Sequence, residues 1–241
     1  MSNSFFQFKQ FIVHQQHSAM KVTTDSCLFG AWVANDLAND DHTKTLLDIG
    51  TGTGLLSLMI AQKNKSFAID AIEIDNATAN EASENINLSP WKENTKIINE
   101  DLRYFTAPYK YDVIVSNPPF YEKELQSGNQ QKNTAHHSTD LTLEFLCSYI
   151  KTSLKDTGHF YLLLPYKRNG EIENLLTEKE LSVTDRVLIR QTVKHDFFRM
   201  IIKGKLNKTG EGKVTELSIK DDNQRYTNEF IKLLKDYYLY P

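Results

Sequence analysis

The segment Asp48-Ile49-Gly50-Thr51-Gly52-Thr53-Gly54 constrains this chain more than any other stretch. It lies between an apolar run, TLLDIG, and a breaker-free run of helix formers, LLSLMIAQK. The first suits a strand buried on both faces, the second a helix. Glycines at such a junction let the backbone turn tightly and approach a ligand with no Cβ in the way. The helix N-terminus adds free N–H groups and partial positive charge. The same alternation continues downstream. FAIDAIEID (67–75), TKIINED (95–101), YDVIVSNPPF (111–120) and GHFYLLLP (158–165) read as strands, and ATANEASENIN (77–87) and LTLEFLCSYIKTSL (141–154) as helices. Strands alternating with helices predict right-handed crossovers and a doubly wound, mainly parallel α/β sheet.

The ends of the chain read differently. FFQFKQFIV (5–13) is aromatic-rich and acid-free, a short strand or hairpin. Thr24 or Asp25 can cap a helix through CLFGAWVANDL. After Pro165 a helix at about 170–180 leads into LSVTDRVLIR, HDFFRMIIKGK and KVTELSIK, which are antiparallel neighbours by default. Asn223 to Tyr238 reads as a closing helix. The sum is a seven-stranded sheet in one domain, residues 25–241, with an N-terminal cover over residues 1–24; 241 residues, 40% of them hydrophobic, suffice for such a core.

Two places carry chemistry. The glycine loop is one, but its spacing is GxGxG rather than the GxGxxG of a pyrophosphate-binding fold, because Leu55 and Ser57 stand where glycine is required. Glu73 closes the following strand, where a carboxylate can accept both hydrogen bonds of a ribose diol. Loop and acid together predict a nucleoside-type cofactor, with NAD and S-adenosylmethionine both open; a tight βα turn with a solvated acid is the simpler alternative. The second place is Ser116-Asn117-Pro118-Pro119-Phe120, which should face the same crevice beyond the carboxyl ends of the strands. The prolines make a rigid platform. The Asn117 side-chain carbonyl and the Pro118 backbone carbonyl are two acceptors for an NH2 group, and Phe120 offers a face on which a base can stack. Accepting both hydrogens of an amide or aniline-like nitrogen favours a pyramidal nitrogen whose lone pair points at a sulfonium methyl. In-line positioning and desolvation supply the rest, and that chemistry needs no metal.

DIGTGTG, IEID and NPPF at these spacings resemble the amino-directed class I S-adenosylmethionine-dependent methyltransferases. FQFKQFIV, AMKVTTDSCLFGAW, ENINLSPW and YTNEFIKLLKDYYL extend the likeness along nearly the whole chain to the bacterial tRNA(Val) adenine-N6 methyltransferase family. That resemblance implies S-adenosylmethionine held at Asp48, Gly50, Gly52 and Glu73, with Asp101 near its adenine and Asn117 to Phe120 at the junction with the target base. It implies N6-methylation of the purine next to the anticodon, with Lys21, Thr24 and Asp25 in a cover over the site. The chain departs from the pattern at His136, where arginine is usual. Amino groups of a release-factor glutamine or of guanine in rRNA suit the same platform, but the glutamine enzyme carries an N-terminal helical domain and tyrosine in place of Phe120. A non-catalytic RNA-binding protein and an oxidoreductase are weaker alternatives, the latter because GxGxxG fails.

Net charge is -3 with a pI near 6.2, which argues against nucleic acid only until its distribution is read. Residues 186–213 hold eight basic side chains against two acidic ones, and residues 1–24 hold Lys9 and Lys21 with no acid. Arg186, Arg190, Arg199, Lys203 and Lys21 are therefore the candidates for RNA phosphate. The polar stretch 122–140 reads as a binding loop or plain linker. His136 and His137 lack metal-ligand spacing, so no metal is expected. Cys27 and Cys147 are too far apart in sequence, and too few, for a disulfide framework or cysteine zinc site. No apolar run spans a bilayer and no leader is visible, so a cytoplasmic monomer is the expectation.

Overall fold

The computed structural model describes residues 3–18, 20–38, 45–118, 141–207, 210 and 212–240. Its centre is a strand whose sequence leaves it nowhere else to go. β3 (Thr45–Ile49) is buried at every position after its first and pairs in parallel with β4 (Ala68–Glu73) on one side and β6 (Tyr111–Ser116) on the other. β5 (Thr95–Asn99) extends the β4 side. β7 (Leu154–Pro165), β9 (Phe197–Leu206), β8 (Leu181–Thr192) and β10 (Lys213–Lys220) extend the other, so the spatial order is β10-β8-β9-β7-β6-β3-β4-β5. The chain leaves β3 in one direction through β4 and β5, then returns to β3's other side with β6. That reversal opens a crevice between the carboxyl ends of β3 and β6.

Among the described residues eight strands, not seven, form the sheet. β8 and β9 are antiparallel, as their short link dictates, but β10 does not pair with β9. Both edges of β9 are already taken, by β7 and β8, so β10 passes on to the outer edge of β8 and runs parallel to it.

Helices cover both faces. On one lie α1 (Thr24–Leu37), α2 (Leu55–Lys63) and α3 (Asn76–Asn87), with the short α6 (Asn228–Leu234); on the other lie α4 (Leu143–Ser153) and α5 (Asn169–Glu178). The cap of α1 lies one residue before the expected ones. Thr23, extended at φ -122°, accepts the Ser26 N–H while its own N–H donates to Ser26 Oγ, a reciprocal box that Thr24 and Asp25 do not form. The closing helix is shorter than expected because the Asp221 N–H donates to Arg225 O in a turn, and the helix begins only after its Thr227 cap. Asp25 at one end of α1 meets Arg199 at 2.8 Å; Asp36 at the other meets Lys203 and the Tyr161 hydroxyl, each at 2.8 Å. Two basic residues four apart on β9 thus grip both ends of one helix.

The N-terminal segment is a hairpin, β1 (Phe5–Gln7) with β2 (Ile12–His14). Phe8 stacks on Phe11, whose ring meets the edge of Trp91. The backbone after β2 is fastened to α3: the buried Glu81 carboxylate accepts the N–H groups of Gln16, His17 and Ser18, and Asn85 Oδ1 accepts that of His14 at 2.8 Å. Burial pushes the Glu81 carboxyl up, but the His17, Gln16 and Ser18 donors outweigh it and leave the group below its ordinary range. Both cysteines are free and buried, and burial pushes each thiol up to about 12, so neither is a thiolate at neutral pH. Among the described residues no helix is long and apolar enough to cross a membrane.

Replacing Glu81 with alanine orphans three N–H groups. The expected loss is about 3 kcal/mol in urea unfolding at pH 7, with faster amide exchange at residues 14–18. Because the folded carboxyl titrates below the unfolded one, the wild-type advantage is present above the ordinary glutamate range and fades as pH falls through the folded value.

Candidate active site

The glycine loop leaves β3 with three left-handed residues: Gly50, Gly52 and Gly54 have φ of 69°, 58° and 80°. Side chains rarely tolerate that conformation, which explains glycine at all three. A Cβ added to Gly50 or Gly52 would meet no atom within 4 Å, so this backbone borders open space. The Gly50 and Thr51 N–H groups both donate to Ile72 O at 2.9 Å, tying the loop to β4. Beneath the loop, Asp48 is fully buried. Its Oδ2 accepts the Thr51 and Ser57 hydroxyls, each at 2.7 Å, while Oδ1 has no partner. Burial raises this carboxyl to about 6 against the pull of those two donors. Thr51 and Ser57 escaped the sequence reading; their only signal there is two hydroxyls, three and nine residues after an acid that opens a glycine loop.

Glu73 stands at the end of β4 as expected. Its Oε2 accepts the Gly52 N–H and its Oε1 the Asp75 N–H, both at 3.0 Å. Each oxygen thus keeps a lone pair for a ligand. Asp101 follows β5, and its carboxylate accepts the Arg103 N–H at 2.9 Å and the Arg103 guanidinium. The Arg103 side chain, bonded to it directly, holds its pKa below the ordinary range. Across the crevice, Ser116 is in register with Ile49 and donates its hydroxyl to Ile49 O at 2.8 Å. Asn117, half-buried, and Pro118, buried, therefore begin beside Gly50. Pro119, Phe120, the 122–140 stretch and His136 lie outside the described residues. The structure brings Asp48, Gly50, Gly52, Glu73, Asp101 and Asn117 to the carboxyl ends of four neighbouring strands, β5-β4-β3-β6.

The basic candidates stand apart from this group and each meets an oxygen. Arg186 pairs with Glu173 at 2.6 Å, Arg190 with Glu216, Arg199 with Asp25 and Lys203 with Asp36. Lys21 donates to Gln15 O. The surplus of the 186–213 segment is thus partly offset by acids from α1, α5 and β10, a compensation that no local count shows. Among the described residues no group of three His, Cys, Asp or Glu side chains could hold a metal. Two surface cavities, of about 420 Å3 beside Tyr109 and Tyr149 and about 310 Å3 beside Lys9 and Lys235, are lined by none of the crevice residues.

A mainly parallel sheet with this reversal and this loop is the methyltransferase fold. The crystal structure of a protein assigned as a class I S-adenosylmethionine-dependent methyltransferase, from Listeria monocytogenes, matches with a TM-score of 0.62 over 83% of this chain and 68% of that one, at 11% identity. Residues 26–163 match the family model described as the methyltransferase small domain. Curated relatives are more specific. A tRNA1(Val) (adenine(37)-N6)-methyltransferase of Bacteroides thetaiotaomicron is 38% identical over all of this chain and 99% of its own length. One of Photorhabdus laumondii is 36% identical over 98% of this chain and 95% of its own. The chain belongs to the tRNA1(Val) (adenine(37)-N6)-methyltransferase family.

The perturbed Asp48 yields a pH signature. Its folded carboxyl stays protonated up to about pH 6, against about 4 in the unfolded chain. Its contribution to stability is therefore full below the unfolded value and is lost as pH rises through about 6. Asp48→Asn keeps an acceptor for both hydroxyls and abolishes the titration. Between pH 7.5 and 4.5 the stability of the wild type relative to this variant should rise by about 2 kcal/mol, read by urea unfolding at the two pH values.

Proposed function

We propose that this protein transfers the methyl group of S-adenosylmethionine to the exocyclic N6 of an adenine in tRNA, adenine 37 of tRNA1(Val). The observation that carries the reading is the in-register meeting of β3 and β6, which sets the Asn117 acceptor platform beside the glycine loop. Family membership supplies the substrate class.

The residues fit the cofactor. Bare backbone at Gly50 and Gly52 leaves room for it, and Glu73 has one lone pair per oxygen for a ribose diol. Asp48 holds a buried oxygen that lacks a donor, and Asp101 is the acceptor for the adenine amine. When bound, S-adenosylmethionine supplies an electrophilic methyl group on a sulfonium. Asn117 Oδ1 and the Pro118 carbonyl accept the two hydrogens of the target amine, which turns its lone pair away from the ring and toward the crevice. Pro119 fixes that acceptor pair, and Phe120 gives the extruded base a face to stack on. RNA phosphate meets Lys21 and the basic strands, where Arg186, Arg190, Arg199 and Lys203 each keep donors beyond those given to carboxylates. Residues 1–24 act as a cover on the 25–241 catalytic body, and the protein works as a cytoplasmic monomer.

Incubation with S-adenosylmethionine and unmodified tRNA1(Val) should give one N6-methyladenosine, at position 37, on nucleoside mapping by mass spectrometry. No such nucleoside from protein that binds the cofactor, or N2-methylguanosine instead, overturns the assignment. Asn117→Ala should lower kcat by roughly 100-fold or more, by analogy with loss of one preorganised hydrogen-bond partner, with cofactor affinity little changed in calorimetry. Glu73→Gln should do the reverse, weakening cofactor binding about tenfold with a smaller effect on kcat at saturation.

A further inference from the structure

The N-terminal hairpin has two faces of different character. Phe6 and Val13 share the inner one, Val13 wholly buried. Phe5, Gln7, Ile12 and His14 share the outer one, because Phe5 pairs with His14 and Gln7 with Ile12. An outward face of a hairpin is ordinarily polar. This one is apolar and aromatic: Phe5 is 48% exposed and Ile12 41%, and the Phe5 and His14 ring centres lie 6.5 Å apart. Residues 1–24 hold no acid.

One end of that face meets the crevice. Asn85 Nδ2 donates to His14 O and to Thr53 O, so His14 and the glycine loop share one amide. The other end meets a cluster of cations. Lys9 and Gln10, in the hairpin turn, line the cavity of about 310 Å3 with Gln62 and Lys63 of α2 and with Lys235 and Asp236, which follow α6. Three ammonium groups there face one carboxylate. The Asp236 carboxyl is held below its ordinary range first by Lys63, bonded to it at 2.9 Å, and then by the charges of Lys235 and Lys9. The ammonium groups of Lys9 and Lys235 are not needed to join the segments. The Lys9 N–H donates to Tyr237 O at 2.8 Å, and Gln62 Nε2 to Asp236 O at 2.9 Å. Lys9 Nζ gives one of its three donors to Lys235 O and keeps two.

We propose that the outer face of the hairpin is a track for the RNA strand next to the target base. Bases stack on Phe5 and His14, and a backbone phosphate sits in the lysine cavity. Exposed rings leading to a cationic seat are the arrangement that holds a single strand, because every base has a π-face and every phosphate a charge. The track is short. From His14 to Lys9 is at most about 16 Å at roughly 3.3 Å per residue, the span of about five nucleotides in a stacked strand. The seated phosphate therefore belongs to the anticodon loop or the adjoining stem. This rests on the tRNA reading above, so the test separates the two.

Steady-state methylation of tRNA1(Val) and filter binding compare the wild type with Phe5→Leu, Phe5→Tyr and the double variant Lys9→Gln/Lys235→Gln. Phe5→Leu keeps an apolar side chain without the ring and should raise the KM for tRNA about five- to tenfold. Phe5→Tyr restores the ring and should return KM to the wild-type value. The lysine variant should raise KM about tenfold and reduce the log-log salt slope by one to two phosphate contacts. In all three, kcat at saturating tRNA should stay within about twofold of wild type. So should calorimetric affinity for S-adenosylhomocysteine, the demethylated product, which a damaged fold would lower. Unchanged tRNA affinity in either Phe5→Leu or the lysine variant overturns the proposal. A shift in sedimentation of free Phe5→Leu with no change in tRNA affinity also overturns it, by making the face a contact between copies. A wild type that binds S-adenosylhomocysteine but neither binds nor methylates tRNA1(Val) instead overturns the function on which the proposal stands.

Discussion

A buried carboxylate holds the centre of this molecule together. Asp48 sits at the end of a strand with no exposed face, and the hydroxyls of Thr51 and Ser57 donate to it. Those two come from the loop and the helix that the loop starts, so one side chain fixes strand end, turn and helix entry. The three left-handed glycines are the backbone's part of the same arrangement. Burying a carboxylate so incompletely paired is costly, as its raised pKa reports. The fold bears that cost at a turn whose glycine backbone borders open space.

The N-terminal hairpin is built onto this centre rather than draped over it. Asn85, almost wholly buried, accepts the His14 N–H and donates to both His14 O and Thr53 O, at 2.9 Å each. A single amide therefore joins the hairpin to the glycine loop. Four residues earlier on the same helix, Glu81 fastens the backbone N–H groups of Gln16, His17 and Ser18. At the other end of the chain Tyr237 donates to Met59 O, and its own carbonyl accepts the Lys9 N–H. Both ends of the chain thus pack on α2 and α3, the helices that follow β3 and β4.

What the sequence made legible was whatever depends on neighbours along the chain. The strand–helix alternation, the glycine turn and the acid at the end of β4 are local, and their positions stand. The hairpin was also readable, since nine acid-free residues rich in aromatics have few other folds. What stayed hidden depends on neighbours in space. β10 skips β9 because β7, a strand from much earlier in the chain, already occupies that edge. Thr23 rather than Thr24 caps α1 because Ser26, not the acid beside it, completes the reciprocal pair. Asp48 could be singled out as a cofactor residue, but its two hydroxyl partners could not be, since serine and threonine near a helix start have a commoner use as caps.

Charge shows the same limit most sharply. Counted along the chain, residues 186–213 form a basic block. In the folded protein, Arg199 and Lys203 close on the two ends of α1, Arg186 on α5 and Arg190 on β10. These contacts are partly exposed, and an exposed ion pair is worth little to stability, so their consequence is orientation. They set α1, and with it the segment around Lys21, against β9 and the strands beside it. A paired arginine is not lost to phosphate, because its fork has five donors and a carboxylate takes at most two of them well. Pairing does lower the long-range field, and that favours an RNA held by shape at the crevice over one drawn in by net charge. A chain of net charge -3 can therefore act on a polyanion without a basic face, provided that its cations are placed rather than numerous.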